Sequence, residues 1–190
     1  MIAVGYLAKE IAQRPYWLDA PGVKDIYSVS NCVSKEFIDY VGFWRHNGYW
    51  FFDNPDIIRE LARENGVDLD NSTFFYYEVY EYEFDDEVKK WIPFEPEDFP
   101  TMVTPPTKRE FHGYDVVSFS VGTSPECSPL SCNYLADEIK TNAHCLLESF
   151  EEAKEALEAG KFDQSEPGPY RIFAVYTIDP NHWLDKQRAE

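Results

Sequence analysis

The chain repeats itself. "DIYSVS" at residues 25–30 returns as "DVVSFS" at 115–120, an offset of ninety. "YWFFDNPDIIRELA" (49–62) returns as "HCLLESFEEAKEAL" (144–157) at ninety-five, and "VYEYE" (79–83) as "VYTID" (175–179) at ninety-six. Three matches in one order, at a nearly constant offset, mark an internal duplication. No other feature constrains the fold as much.

Each matched pair also takes one structural type. The first pair alternates as strands do. In the second, Asn54-Pro55 reads as an N-cap with proline at the first helical position, closed by Gly66. Its counterpart starts at Ser149, with Glu152 three residues on as a capping box, and stops at Gly160. At offset ninety-five Phe37, Tyr40, Val41 and Trp44 fall on Cys132, Leu135, Ala136 and Ile139, one apolar helical stripe in both copies.

The predicted fold is therefore α+β. It consists of two fused copies of a β-α-β-α-β unit that share one core, with pseudo-twofold symmetry, as for a homodimer joined into one chain. The units span residues 25–84 and 115–179, linked by a Pro-rich connector at 85–114. Residues 1–24 show no echo and are expected to pack on the body, and 180–190 form a C-terminal tail.

Charge sets the first limit on function. There are 35 acidic residues against 17 basic, a net charge of −18, and each copy holds twelve acidic and four basic residues. Such a surface repels nucleic acid and anionic membranes and suits a basic partner or simple solubility. No apolar run approaches the roughly 20 residues of a membrane span. The opening "MIAVGYLAKEIAQRP" lacks the pattern of a secretory signal. With four cysteines, the expectation is a cytoplasmic protein with free thiols.

The offset grows by five within "VGTSPECSPLS", so copy two carries additional loop residues there. Cys132 replaces Phe37 on the helical stripe and Cys145 replaces Trp50 in a short strand, and both read as small core hydrophobes. Cys127 precedes Ser128-Pro129, a helix start, which makes it N′ and Cys132 N4, the two positions of a hydrophobic staple. A sharper alternative is a nucleophilic Cys127 at a helix N-terminus, with His144 as base and Asn133 as orienter. No metal or cofactor is expected. The candidate zinc ligands would be Cys127, Cys132, His144 and Cys145, in an irregular spacing.

The strand "STFFYYEVYEYEFDD" mixes tyrosine with carboxylate. Glu81 and Glu83 would stand roughly 7 Å apart on one face, close to the spacing of successive phosphates. Glu78, Tyr80, Glu81, Tyr82 and Glu83 are the candidate surface for an Arg-rich partner. His46, in the turn "RHNGYW", is expected to serve a helix C-terminus. "SEPGPY" is a turn before the last strand and lacks phosphate-loop glycine spacing.

The functional expectation is an acidic cytoplasmic interaction module, of inhibitor or immunity type, that occupies a basic protein surface. The alternatives are a thiol-dependent enzyme or a ligand-binding protein that uses the loop at residues 124–133.

Overall fold

The computed structural model describes residues 1–37, 46–122 and 124–184. In chain order the elements are β1 (Ile2–Glu10), β2 (Ala12–Gln13), β3 (Asp25–Ile26), β4 (Lys35–Glu36), α1 (Pro55–Asn65), β5 (Thr73–Val79), β6 (Tyr82–Asp85), β7 (Lys90–Pro93), β8 (Glu110–Ser118), α2 (Pro129–Cys132), α3 (Phe150–Glu158) and β9 (Tyr170–Ile178). The fold is α+β, with an antiparallel sheet running β4-β1-β5-β9-β6-β7 and β8 on the other edge of β9. β2 and β3 form a separate two-stranded ribbon. Among the described residues, no helix is long and apolar enough to cross a membrane.

Alternation along β8 and β9 divides the core in two. Val117, Phe173 and Val175 join one cluster with Val4, Tyr6 and the α1 residues Ile58 and Leu61. Val116, Tyr170 and Ile172 join the other with the α3 residues Ala153, Ala156 and Leu157. Neighbouring strand residues point to opposite faces, so one sheet is buried on both.

The helix ends form as local chemistry dictates. Asn54 accepts the amide of Ile57 at 3.1 Å, Pro55 opens α1, and Gly66 closes it at φ 67°. Ser149 and Glu152 make the reciprocal capping box of α3, and the chain leaves it through Gly160 at φ 71°.

Two turns share one geometry at the offset of ninety-five. Asn47 Oδ1 accepts the amides of Tyr49 and Phe51, and its Nδ2 donates to Val4 O on β1 at 3.0 Å. Asn142 Oδ1 accepts the amides of His144 and Leu146, and its Nδ2 donates to His112 O on β8 at 2.6 Å. Trp50 and Cys145 both take left-handed backbone, at φ 67° and 61°. Phe52 then exchanges both backbone hydrogen bonds with Tyr6, as Leu147 does with Tyr114.

The strands that receive these turns also match. β1 bulges before Gly5 and β8 before Gly113, at φ 131° and 139°. Both glycines are required where they stand. A Cβ on Gly5 would sit 2.4 Å from Phe52 O, and one on Gly113 2.6 Å from Leu147 O.

Several expectations are corrected by this arrangement. The strand expected at residues 25–30 is only the two residues of β3, and the geometric counterpart of β8 is β1, within the segment read as having no echo. The resemblance of "DIYSVS" to "DVVSFS" is one of alternation alone, whereas "GY" in β1 and β8 carries the steric constraint. Trp50 and Cys145 lie in turns and not in short strands. The single strand expected from Ser72 onward breaks at Tyr80-Glu81 into β5 and β6. The helix expected from Pro129 to Ile139 is interrupted at Tyr134, at φ 62°, although Leu135, Ala136 and Ile139 are buried as the stripe requires. Phe37 is buried, whereas Tyr40, Val41 and Trp44 lie outside the described residues. β7 and the start of β8 fall within the stretch read as connector.

Candidate functional site

Buried charge anchors the loop that follows β3. Lys9, on β1, is 1% exposed and donates to the carbonyls of Ser28, Val29 and Ser30 at 2.7, 2.7 and 2.9 Å. Glu36 lies 3.4 Å from its Nζ. Burial lowers the Lys9 pKa, opposed by Glu36.

Asp115, on β8, holds the same loop from the other side. Its Oδ2 accepts the amide of Val29 at 2.7 Å and the hydroxyl of Ser128 at 2.6 Å. Its Oδ1 is buried with no hydrogen-bond partner, as is the Tyr77 hydroxyl. Burial pushes the Asp115 carboxyl up to about 6, and its hydrogen bonds and Lys9 pull the other way.

This clamp brings loop 27–34 against the loop that leads into α2. Ser128 is the N-cap of α2 by position, yet its hydroxyl goes to Asp115 and not to a helix amide. Ser118 on β8 receives this loop by accepting the amide of Glu126 and donating to Cys127 O at 2.8 Å. The Glu126 side chain closes the loop by accepting from Ser120 Oγ and the Val121 amide.

Three thiols meet where the loops touch. The Sγ atoms of Cys32, Cys127 and Cys132 all lie within 4.8 Å of one another. Cys32 is exposed, Cys127 buried and Cys132 half-buried. Ser30 Oγ donates to Cys32 Sγ at 3.4 Å and lies 3.7 Å from Cys132 Sγ. Cys127 Sγ donates to Asn133 Oδ1 at 3.3 Å. As a thiol, Cys32 donates to Glu126 O at 3.1 Å.

The thiols do not titrate alike. Hydrogen bonds from Cys127 and then Cys132 favour the Cys32 thiolate and lower its pKa. Cys127 is driven far up because the neighbouring Cys132 and then Cys32 sulphurs favour its neutral thiol, and burial adds to this. Cys132 is pushed up to about 11: the hydrogen bond from Cys127 favours its thiolate, but Cys32 and burial outweigh it. Negative charge therefore collects first on the exposed sulphur. A cavity of about 330 Å³ adjoins the cluster and is lined by Asn31 and Glu126, the chain neighbours of Cys32 and Cys127, with Glu36 and Trp50.

The remaining candidates sit elsewhere. Asn133 accepts from Cys127, but His144 Nδ1 is 2.6 Å from Asp25 Oδ1. The His144 ring stacks on Tyr27 at 4.1 Å and meets the edge of His112, within an open cavity of about 570 Å³. Burial, then His144, lowers the His112 pKa. Cys145 is buried in the α3 core, and neither it nor His144 belongs to the thiol group. His46 stacks on Trp50 at 4.1 Å, and the preceding segment that it was expected to cap lies outside the described residues.

The acidic strand is largely spent inside the protein. Glu78 accepts from Arg109 at 2.5 Å and from the hydroxyls of Tyr76 and Tyr176, each at 3.1 Å. Glu83 accepts from Arg171 at 2.8 Å, and that guanidinium lies over the rings of Phe94 and Phe119. Tyr80 packs on Trp91 and Phe150. Of the five candidate partner residues, Glu81 and Tyr82 are exposed.

Cys32 was not among the sequence candidates, although the same offset of ninety-five places it on Cys127. No family model matches the chain, and no curated protein or solved structure matches it either.

Proposed function

We propose that the protein binds a ligand through a three-thiol centre built by Cys32, Cys127 and Cys132 on the loops at residues 30–34 and 124–133. The observation that carries this reading is the meeting of three sulphurs within 4.8 Å, from positions about a hundred residues apart. Core cysteines need no such convergence. Cys145 shows the contrast, buried among Val116, Leu147 and Leu157. A reducing, cytoplasmic setting belongs to the same proposal, because the centre works only with free thiols.

Native thiol labelling tests it. Cys32 should react first with a maleimide, Cys127 and Cys132 slowly, and Cys145 only on unfolding. Labelling Cys32 should further slow the other two. Four thiols that react at one native rate would rule the centre out.

A basic protein partner is the second reading, carried by the net charge of −18. Its surface would be the outer face of α3, where Glu151, Glu152, Glu155 and Glu158 are exposed, and not the strand chosen from sequence. Binding of an Arg-rich peptide that fades steeply with salt would support it. Salt-independent binding would not.

We also propose that the two halves arose from one duplicated unit. The matching asparagine turns, left-handed residues and glycine bulges support this. In that frame Cys32 and Cys127 are equivalent positions, brought face to face by pseudo-twofold symmetry.

A further inference from the structure

Three sulphurs and no carboxylate form the cluster at the loop junction. Two acidic side chains of the surrounding loop and strand have other partners: Glu126 closes its own loop on Ser120 and Val121, and Asp115 holds Val29 and Ser128. A donor set of sulphur alone discriminates against magnesium and calcium, which take oxygen, and selects thiophilic ions.

We infer that Cys32, Cys127 and Cys132 bind a zinc ion as three thiolates, with the fourth coordination position open to solvent beside the exposed Cys32. This rests on the thiol-centred reading above and names its ligand, against the sequence expectation of no metal. Two of the ligands, Cys127 and Cys132, were candidates for zinc from sequence, and Cys32 takes the place of His144 and Cys145.

The geometry is close to what zinc needs. A Zn–S bond of about 2.3 Å in a tetrahedral site places sulphurs roughly 3.8 Å apart. The sulphurs here stand within 4.8 Å, so small side-chain rotations complete the site. A disulfide would use two sulphurs and leave the third over, whereas a metal uses all three.

The surroundings supply what three thiolates require. Zinc with three thiolates carries one net negative charge, and the Lys9 ammonium is held against the carbonyls of Ser28 to Ser30 in the loop that carries Cys32. Ser30 Oγ stands within reach of two of the sulphurs as an outer-shell donor. Binding forms three Zn–S bonds, displaces water from the hydrated ion and releases up to three thiol protons to the buffer. No oxidant or reductant takes part. Affinity must therefore fall as pH is lowered.

The test uses full-length reduced protein, stripped with chelator and desalted, then titrated with Co²⁺ and afterwards with Zn²⁺. Sulphur-to-cobalt charge transfer should saturate at one ion per chain, with the visible bands of tetrahedral cobalt, and zinc should bleach both. Zinc should also protect Cys32, Cys127 and Cys132 from alkylation at least tenfold, and leave Cys145 unchanged. Cys32→Ser, at an exposed position, should weaken Co²⁺ binding more than tenfold with an unaltered circular dichroism spectrum, and Cys145→Ser should not weaken it. Absence of a thiolate–cobalt spectrum in the wild type, or equal binding by Cys32→Ser, would overturn the inference. If the thiols keep their unequal labelling rates but bind no metal, the zinc falls and the thiol centre stands. If neither is seen, both fall.

Discussion

Ser30 and Ser128 hold each other. The amide of Ser30 donates to Ser128 Oγ at 3.1 Å, and the amide of Ser128 donates to Ser30 Oγ at 2.9 Å. Both residues are buried, and each lies next to a strand-anchored charge, Lys9 on one side and Asp115 on the other. The two loops that carry the thiols are therefore joined by hydrogen bonds that neither could satisfy alone.

Ser128→Ala should destabilise by about 1–3 kcal/mol, because it leaves the Ser30 amide and one Asp115 bond unpaired in a buried setting. Ser120→Ala, at an exposed serine, should stay within about 0.5 kcal/mol. Urea unfolding of the two variants measures the difference. Equal effects would mean that water replaces the lost hydroxyl at Ser128.

Asp115 should give stability an identifiable pH dependence. Its carboxyl is raised to about 6 from 3.8, so the native state holds its proton where the unfolded chain has lost it. The stability contribution is complete below about pH 4 and is lost as pH rises through about 6. The span amounts to about 3 kcal/mol for a shift of this size. Asp115→Asn removes the titration. The stability difference between wild type and variant should therefore change between pH 4 and 6 and stay flat above 7. A flat difference throughout would mean that Asp115 titrates normally.

Gly5 and Gly113 should behave as a pair. Alanine at either meets a carbonyl oxygen well inside contact distance and must adopt positive φ. Each substitution should cost about 2–4 kcal/mol. Gly122→Ala, where nothing lies within 4 Å of the added carbon, should be nearly neutral. Thermal melts of the three variants decide it. A tolerated Gly5→Ala would separate the two bulges and count against the proposed duplication.

What was legible in the sequence was what local chemistry determines. Asn54-Pro55 with Gly66, and Ser149 with Glu152, define helix ends through side chains at most a few residues away, and both helices form as read. The offset of ninety-five holds through the asparagine turns for the same reason. The first strand was misplaced because alternation at residues 25–30 imitates a strand, while only two letters, Gly-Tyr, mark the bulge that β1 and β8 share. The internal pairing of the acidic strand was illegible for another reason. Arg109 and Arg171, which neutralise Glu78 and Glu83, are 31 and 88 residues distant. The thiol centre needs Cys32 to meet residues 95 and 100 positions later, through contacts set by Lys9 and Asp115. Only the repeat offset of ninety-five, which places Cys32 on Cys127, hinted at it.

The same long-range contacts imply that neither half folds alone. β5 and β9 pair at six positions from Phe74–Ile178 to Val79–Phe173, which joins the halves across the middle of the sheet. Separated at residues 104 and 105, the first half would keep Lys9 on its own loop but lose Asp115 from the Val29 amide and Ser128 from Ser30. The second half would expose the β5-facing edge of β9 and leave Asp115 in an apolar core with one partner fewer. Expressed separately, residues 1–104 and 105–190 should show no cooperative melt, and co-expression should recover one complex with a single transition. A cooperative transition from either half alone would show that the sheet is two units in contact and not one core.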